Sequence, residues 1–201
     1  MARYRGSVVK HSRSAGTNLD GSAKTDKALK KRPYAPGQHG QARKKVSEFG
    51  VQLKEKQRVK RMYGLIEKQF RKNYEIASRK KGVTGTVMLQ RLEARFDNLV
   101  FRSGLAKTRR QARQMVAHGH FMVNGKKVDI ASCILKVGDV ISVREQSKAF
   151  FKSIQESHTP LVPHWLDTNF DKLETVYKLS PEREDIDQTI KEALIIEFYS
   201  R

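Results

Sequence analysis

Three guanidinium groups, Arg109, Arg110 and Arg113, fall within five consecutive positions directly after Thr108. The chemistry open to such a cluster is anion capture, because the guanidinium fork matches the oxygens of a phosphate and can bond two of them at once. Lys126 and Lys127 add two cations immediately after Asn124-Gly125, and His118 and His120 straddle Gly119 between the two groups. As metal ligands the histidines lack a third partner, whereas phosphate or capping contacts suit a pair at a helix end. Other chemistries find no support. Gly82-Val83-Thr84-Gly85 is too short for a phosphate-binding P-loop and lacks its Lys-Ser/Thr ending. There is no Gly-x-Ser-x-Gly elbow, and Cys133 has no evident base in its sequence context. Glu93 and Asp97, four apart, would share a helix face, but Arg91 and Arg95 beside them favour ion pairing over acid–base work.

The elements that must position these groups can be read from periodicity. Leu89, Leu92, Phe96 and Leu99 recur at intervals of three or four, as one helix face requires, and Asn98 to Gly104 breaks the pattern. A second helix opens at Thr108 with Gln111 three residues on, the spacing of a capping box. Ala112, Met115 and Val116 give its buried face, and Gly119 a left-handed stop. Arginines in a first turn oppose the helix dipole, so this turn calls for an external anion. Alternating apolar residues around Asn124-Gly125 signal a hairpin. Two further strand candidates follow, Cys133 to Val137 and Val140 to Val143, separated by Gly138-Asp139.

These residues together carry a resemblance. The set Arg91-Leu92-Glu93, Asp97-Asn98, Arg109-Arg110-Gln111-Ala112-Arg113, His118-Gly119-His120, Val123-Asn124-Gly125, Val128-Asp129 and Gly138-Asp139 resembles the small RNA-binding module named after ribosomal protein S-four. Met1-Ala2-Arg3-Tyr4, the run Arg32 to Gly40 and the ending Glu197-Phe198-Tyr199-Ser200-Arg201 widen it. With them, essentially the whole chain is similar to the bacterial-type small-subunit ribosomal protein S-four family. Many members of that family carry four zinc-binding cysteines in their first ~45 residues. Here Val9 and Ser12 stand at two of those places and no cysteine lies between Ser22 and Lys27, so the resemblance is to the cysteine-free versions and no zinc or other cofactor is expected.

Composition agrees with a polyanionic partner. The 201 residues carry a net charge of +20, and its location is the informative part. Residues 1–81 hold 23 Lys/Arg against 6 Asp/Glu, residues 82–145 hold 11 against 5, and residues 146–201 hold 7 against 10. Positive charge is thus confined to the first two-thirds, as a docking face for nucleic acid requires. No apolar run approaches the ~20 residues that span a bilayer, and the start lacks a signal-peptide core. The single Cys133 excludes an internal disulfide and suits a reducing cytosol; it reads as a small buried apolar residue.

In chain order, residues 1–45 show no amphipathic periodicity, and two prolines and two glycines in Arg32 to Gly40 exclude a regular helix there. Residues 47–81 read as two helices, one with Leu53, Val59, Met62 and Tyr63 and a second with the stripe Phe70, Tyr74 and Ala77, both dense in Lys and Arg. Like charges so close repel unless an anion neutralises them. Lys148 to Ile154 fits a strand or a helix, Pro160, Pro163 and Trp165 mark a turn-rich crossing that packs on the module, and Pro181 to Asp185 is acidic.

The expected fold is α+β: a helical domain with an inserted RNA-binding module of two helices and a small antiparallel sheet, plus an extended basic N-terminal segment. Expected boundaries are 1–45 for the extension, 46–90 with 180–201 for the helical domain, 91–150 for the module and 151–179 for a connecting segment. The resemblance implies a structural, non-enzymatic protein of the small ribosomal subunit, in the cytoplasm, that binds small-subunit ribosomal RNA, nucleates assembly of the subunit body and contributes to translational accuracy. Implied partners are that RNA, neighbouring ribosomal proteins (notably S-five) and its own messenger RNA, with no membrane. The alternatives are an RNA-binding assembly or stress factor, or the targeting subunit of an RNA-modifying enzyme. Expected RNA contacts are Arg3, Arg5, Arg43, Lys44, Lys45, Arg58, Arg61, Arg71, Arg109, Arg110, Arg113, His118, His120, Asn124, Lys126 and Lys127; no catalytic or metal-binding residue is expected.

Overall fold

The computed structural model describes Tyr4 and residues 6–42, 45–156 and 161–201. The chain divides into two compact units, Met1–Gly85 with Gln188–Arg201, and Thr86–Asp187.

The first unit is helical. The segment expected to be extended carries two short helices, α1 (Val8–Ala15) and α2 (Ala23–Lys31). Hydrophobic periodicity could not show them, because their buried positions are hydroxyls. Ser12 and Thr25 are fully buried beside Leu19, and Ser12 Oγ accepts the Leu19 N–H at 3.3 Å. Ser22 caps α2 by accepting from the Thr25 N–H, relieving one of the helix's orphan donors. Arg32 to Gly40 is non-helical as expected, and Arg13 ties it down. Its Nε donates to the carbonyls of Arg32 at 3.2 Å and Tyr34 at 3.1 Å, Nη2 donates to Ala35 O at 3.4 Å, and the guanidinium lies 5.1 Å from the Tyr34 ring centre. A zinc ion does not fit the described residues here: Ser12 is committed to Leu19, and no three His, Cys, Asp or Glu among the described residues gather to hold a metal.

Helices α3 (Glu48–Met62) and α4 (Glu67–Ser78) follow, and the chain's final helix, α9 (Glu192–Tyr199), packs on α3. Val59, Met62, Phe70, Ala77, Ile190 and Ile195 form the buried apolar face. Tyr199 stacks on Tyr74 with ring centres 4.7 Å apart. At this junction Glu67 accepts from Lys56 at 2.7 Å, Lys60 at 2.8 Å and the Tyr199 hydroxyl at 2.8 Å. Burial alone would raise the Glu67 carboxyl, but these three donors outweigh it and hold the group at about 2. The same burial, with Glu67 opposite, pushes the Tyr199 hydroxyl up.

The second unit contains α5 (Thr84–Glu93, whose first residues belong to the first unit), α6 (Phe96–Arg102), α7 (Arg109–Ala117), α8 (Lys148–Glu156) and five strands: β1 (Phe121–Val123), β2 (Lys126–Lys127), β3 (Val140–Val143), β4 (Leu166–Asn169) and β5 (Glu174–Tyr177). The strands pair antiparallel in the order β2-β1-β3-β5-β4. Three expectations are corrected. The first apolar stripe is two helices: the chain breaks at Ala94-Arg95, where Arg95 bridges to Ile134, and α6 continues to Arg102 through the stretch expected to be irregular. Cys133 to Val137 forms only that isolated bridge, so Cys133 lies in a loop, half-buried against the core. Residues 166–177 add two strands to the sheet, and Trp165 is buried edge-on against Tyr177 at 5.8 Å. The hairpin between β1 and β2 forms as expected, with Asn124 (φ 49°) and Gly125 (φ 76°) both left-handed, the geometry a two-residue type I′ turn requires.

The depressed Glu67 carboxyl sets a pH dependence. Its ordinary value is 4.5 and its folded value about 2, so its stabilisation is complete above pH 4.5 and disappears as pH falls through 2. Glu67→Gln should therefore be less stable than the parent at neutral pH, and the gap should close on acidification. Urea unfolding across that range checks it.

Candidate nucleic-acid interface

In the second unit several arginines are held by carboxylates of the chain itself. Asp97, near the start of α6, accepts from Arg95 through Nε and Nη2, both at 3.1 Å, and from Arg113 through Nε at 2.7 Å and Nη2 at 2.6 Å. All three side chains are nearly buried, at 5 % exposed for Asp97, 4 % for Arg95 and 12 % for Arg113. Glu93, at the end of α5, is fully buried and receives Arg102 through two bonds of 2.9 Å and the Asn98 amide at 2.6 Å. Asn98 Oδ1 in turn accepts from Arg109 Nε at 2.8 Å, and the Arg109 guanidinium lies 4.5 Å from the centre of the Phe101 ring. Buried charges persist only when paired and fully hydrogen-bonded, and this network meets that condition.

Two of the three arginines of α7 thus have partners within the chain. Thr108 does cap α7, accepting from the Gln111 N–H at 3.2 Å. The return contact differs: the Gln111 amide oxygen accepts from the N–H of Lys107, one residue earlier than expected, at 2.9 Å. Arg109 and Arg113 are turned back onto α6, and of the three only Arg110 is exposed. Asp97 holds Arg113 and Asn98 holds Arg109, so both side chains are tied down from α6.

The remaining positions in this unit divide similarly. Asn124 closes the turn: its Nδ2 donates to Asp139 at 2.8 Å and its Oδ1 accepts from the Val140 N–H at 2.9 Å. His120 is half-buried with Nδ1 2.9 Å from Ser147 Oγ, and burial, then the nearby His118 and Arg144, hold its pKa below the ordinary value. His118, Lys126 and Lys127 are exposed. The Lys127 stem lies across Gly119, where any Cβ would come within 2.7 Å of Lys127 Cε. Gly119 is left-handed (φ 73°), the conformation that favours glycine, whereas the flexible Lys127 stem could move aside for a Cβ.

In the first unit, Arg58 is drawn inward: Nη1 donates to Thr189 O at 2.8 Å and pairs with Glu55 at 3.3 Å, fixing the approach to α9. Arg61 is half-buried at the end of α3, Lys45 is exposed, and Arg71 is exposed with Glu75 at 3.1 Å. Arg3, Arg5, Arg43 and Lys44 lie outside the described residues.

The clearest cationic surface was only partly among the expected residues. On α4, Lys68, Arg71 and Lys72, with Arg79 at its C-cap, are all exposed and, at 100° per residue, fall on one stripe opposite the buried Phe70, Asn73 and Ala77. Glu75 is the one carboxylate in that stripe. On α2, Lys24, Lys27 and Lys31 form a second exposed row, at spacings of three and four. The signal was available in sequence: bases at intervals of three and four, on the side away from an aromatic stripe. No helix among the described residues is long and apolar enough to cross a membrane.

Two family models match the chain. Residues 3–93 match the family described as "Ribosomal protein S4/S9 N-terminal domain", and residues 94–141 match the "S4 domain". Among similar proteins, "Small ribosomal subunit protein uS4" of Clostridioides difficile (strain 630) is 51 % identical over the full length of both chains. "Small ribosomal subunit protein uS4A" of Alkaliphilus oremlandii (strain OhILAs) is 50 % identical, and the uS4 protein of Mesomycoplasma hyopneumoniae (strain 7448) is 47 % identical, each over all of both chains.

The two classes of cation should respond differently to mutation. Asp97→Ala strands two nearly buried guanidiniums and should cost about 3–5 kcal/mol. Lys126→Ala, at an exposed hairpin tip, should stay within about 0.5 kcal/mol. Urea unfolding of the two variants measures both.

Proposed function

The chain belongs to the small ribosomal subunit protein uS4 family, and from that premise we propose that it holds small-subunit ribosomal RNA mainly through the cations that its fold leaves exposed at the surface. It is a structural, non-enzymatic RNA-binding protein of the small ribosomal subunit. The observation that carries the mechanism is the α4 stripe, where Lys68, Arg71, Lys72 and Arg79 are exposed on one face with Glu75 alone among them. Lys24, Lys27 and Lys31 on α2, and Arg110, Lys126 and Lys127 in the second unit, supply further phosphate contacts. Each contact releases condensed counterions, and the fit of a folded RNA junction to the surface adds selectivity.

Cationic surfaces on two units of one chain let a single copy grip RNA at more than one place, and the second contact is then effectively intramolecular. That multivalency suits a protein that fixes a junction early and nucleates assembly of the subunit body. The same reading includes a contribution to translational accuracy, contact with the neighbouring protein S-five and binding of its own message. The paired residues Arg58, Arg109 and Arg113 act in it by shaping the surface.

Affinity for transcribed small-subunit ribosomal RNA should fall steeply with salt, by about 10³-fold between 50 and 200 mM if six phosphates are contacted. Replacing Lys68, Lys72 and Arg79 together with Ala should lower the slope of log K against log salt by about two to three. Filter binding measures both; a flat response in the parent chain contradicts the electrostatic mechanism.

A further inference from the structure

Beyond the arginine network, side chains from four elements converge on His118-Gly119-His120. Lys127 crosses Gly119 from β2. Arg144, following β3, donates from Nη1 to the Gly119 carbonyl at 3.2 Å. His120 is anchored through Nδ1 to Ser147 Oγ at 2.9 Å, and its ring stacks with Phe150 of α8, centres 6.0 Å apart and planes 28° from parallel. Phe150 is braced edge-on by the fully buried Phe151, at 5.5 Å and 83°. Yet Phe150 is 49 % exposed. Two aromatic neighbours thus fix its orientation while about half of its surface faces solvent.

A ring held in this way beside cationic side chains is complementary to a nucleotide, which joins an apolar π face to an anionic phosphate. In a duplex the base faces are hidden by stacking, so an unpaired base is the matching partner. We propose that Phe150 and His120 form a stacking platform for one unpaired nucleobase of the bound RNA, with Lys127 and Arg144 receiving the adjoining phosphates. The inference rests on the RNA-binding reading above and names the part of the RNA this site takes. The charge around the ring decides between partners, since an apolar protein surface would gain nothing from the flanking lysine and guanidinium.

The test uses the full chain and transcribed small-subunit ribosomal RNA over a series of salt concentrations. Because Phe150 is exposed, Phe150→Ala and Phe150→Leu should fold normally. Both should weaken binding by about tenfold, the scale of one lost base stack, with the salt slope unchanged because no charge is removed. Phe150→Tyr should restore affinity. If Phe150→Leu binds as tightly as the parent, the contact is merely apolar and the platform is overturned; equal binding by Phe150→Ala overturns it too and leaves the ring for a protein neighbour. If the parent chain itself does not bind this RNA, it is the RNA-binding reading that fails.

Discussion

The structure depends on a shortage of carboxylates. With 41 Lys and Arg against 21 Asp and Glu, the chain cannot neutralise itself, and where a few buried or half-buried acids sit decides which cations become architecture. Glu67 gathers Lys56, Lys60 and Tyr199 where α3, α4 and α9 meet. Asp97 gathers Arg95 and Arg113, and Glu93 takes Arg102 and Asn98. Buried ion pairs of this kind add little net stability over apolar packing of the same shape, but breaking one strands a charge. Their value here is orientation: α6 and α7 are joined by bonds of fixed direction, a constraint that apolar contacts alone do not impose.

Cations that face outward then define the outer surface. On α4 the division is visible within one helix, where Phe70 and Ala77 face the core and Lys68, Lys72 and Arg79 face away. Such a row repels itself in water and is relieved when an RNA backbone lies along it. On the proposed reading, folding and binding are linked through charge: internal carboxylates hold the scaffold, and phosphates complete the surface. The platform inferred around Gly119 would add to this a contact that depends on a base as well as on phosphate.

Much of the fold was legible in the sequence, for identifiable reasons. The α7 cap at Thr108, the Asn124-Gly125 turn and the helices of residues 47–81 rest on local rules, and they formed. Helices α1 and α2 were hidden because they bury Ser12 and Thr25 instead of an apolar stripe. Strands β4 and β5 were missed because Leu166–Asn169 and Glu174–Tyr177 are four residues each and neither alternates apolar with polar, leaving little signal against a loop. The site was legible by charge and not by direction. Sequence spacing placed Arg109 and Arg113 on one helix face, but only the tertiary fold brings Asn98 and Asp97 against them. Nothing in the spacing distinguishes an arginine aimed at a phosphate from one aimed at an internal acid.

The most direct test is lysine acetylation read by mass spectrometry, on the free chain and on its complex with small-subunit ribosomal RNA. The account predicts that Lys68, Lys72 and Lys126 react in the free chain and are protected in the complex, while Lys56 and Lys60, held by Glu67, react slowly in both. Continued reactivity of Lys68, Lys72 and Lys126 in the complex, with protection appearing instead on lysines of the acidic last quarter such as Lys172 and Lys178, would contradict it.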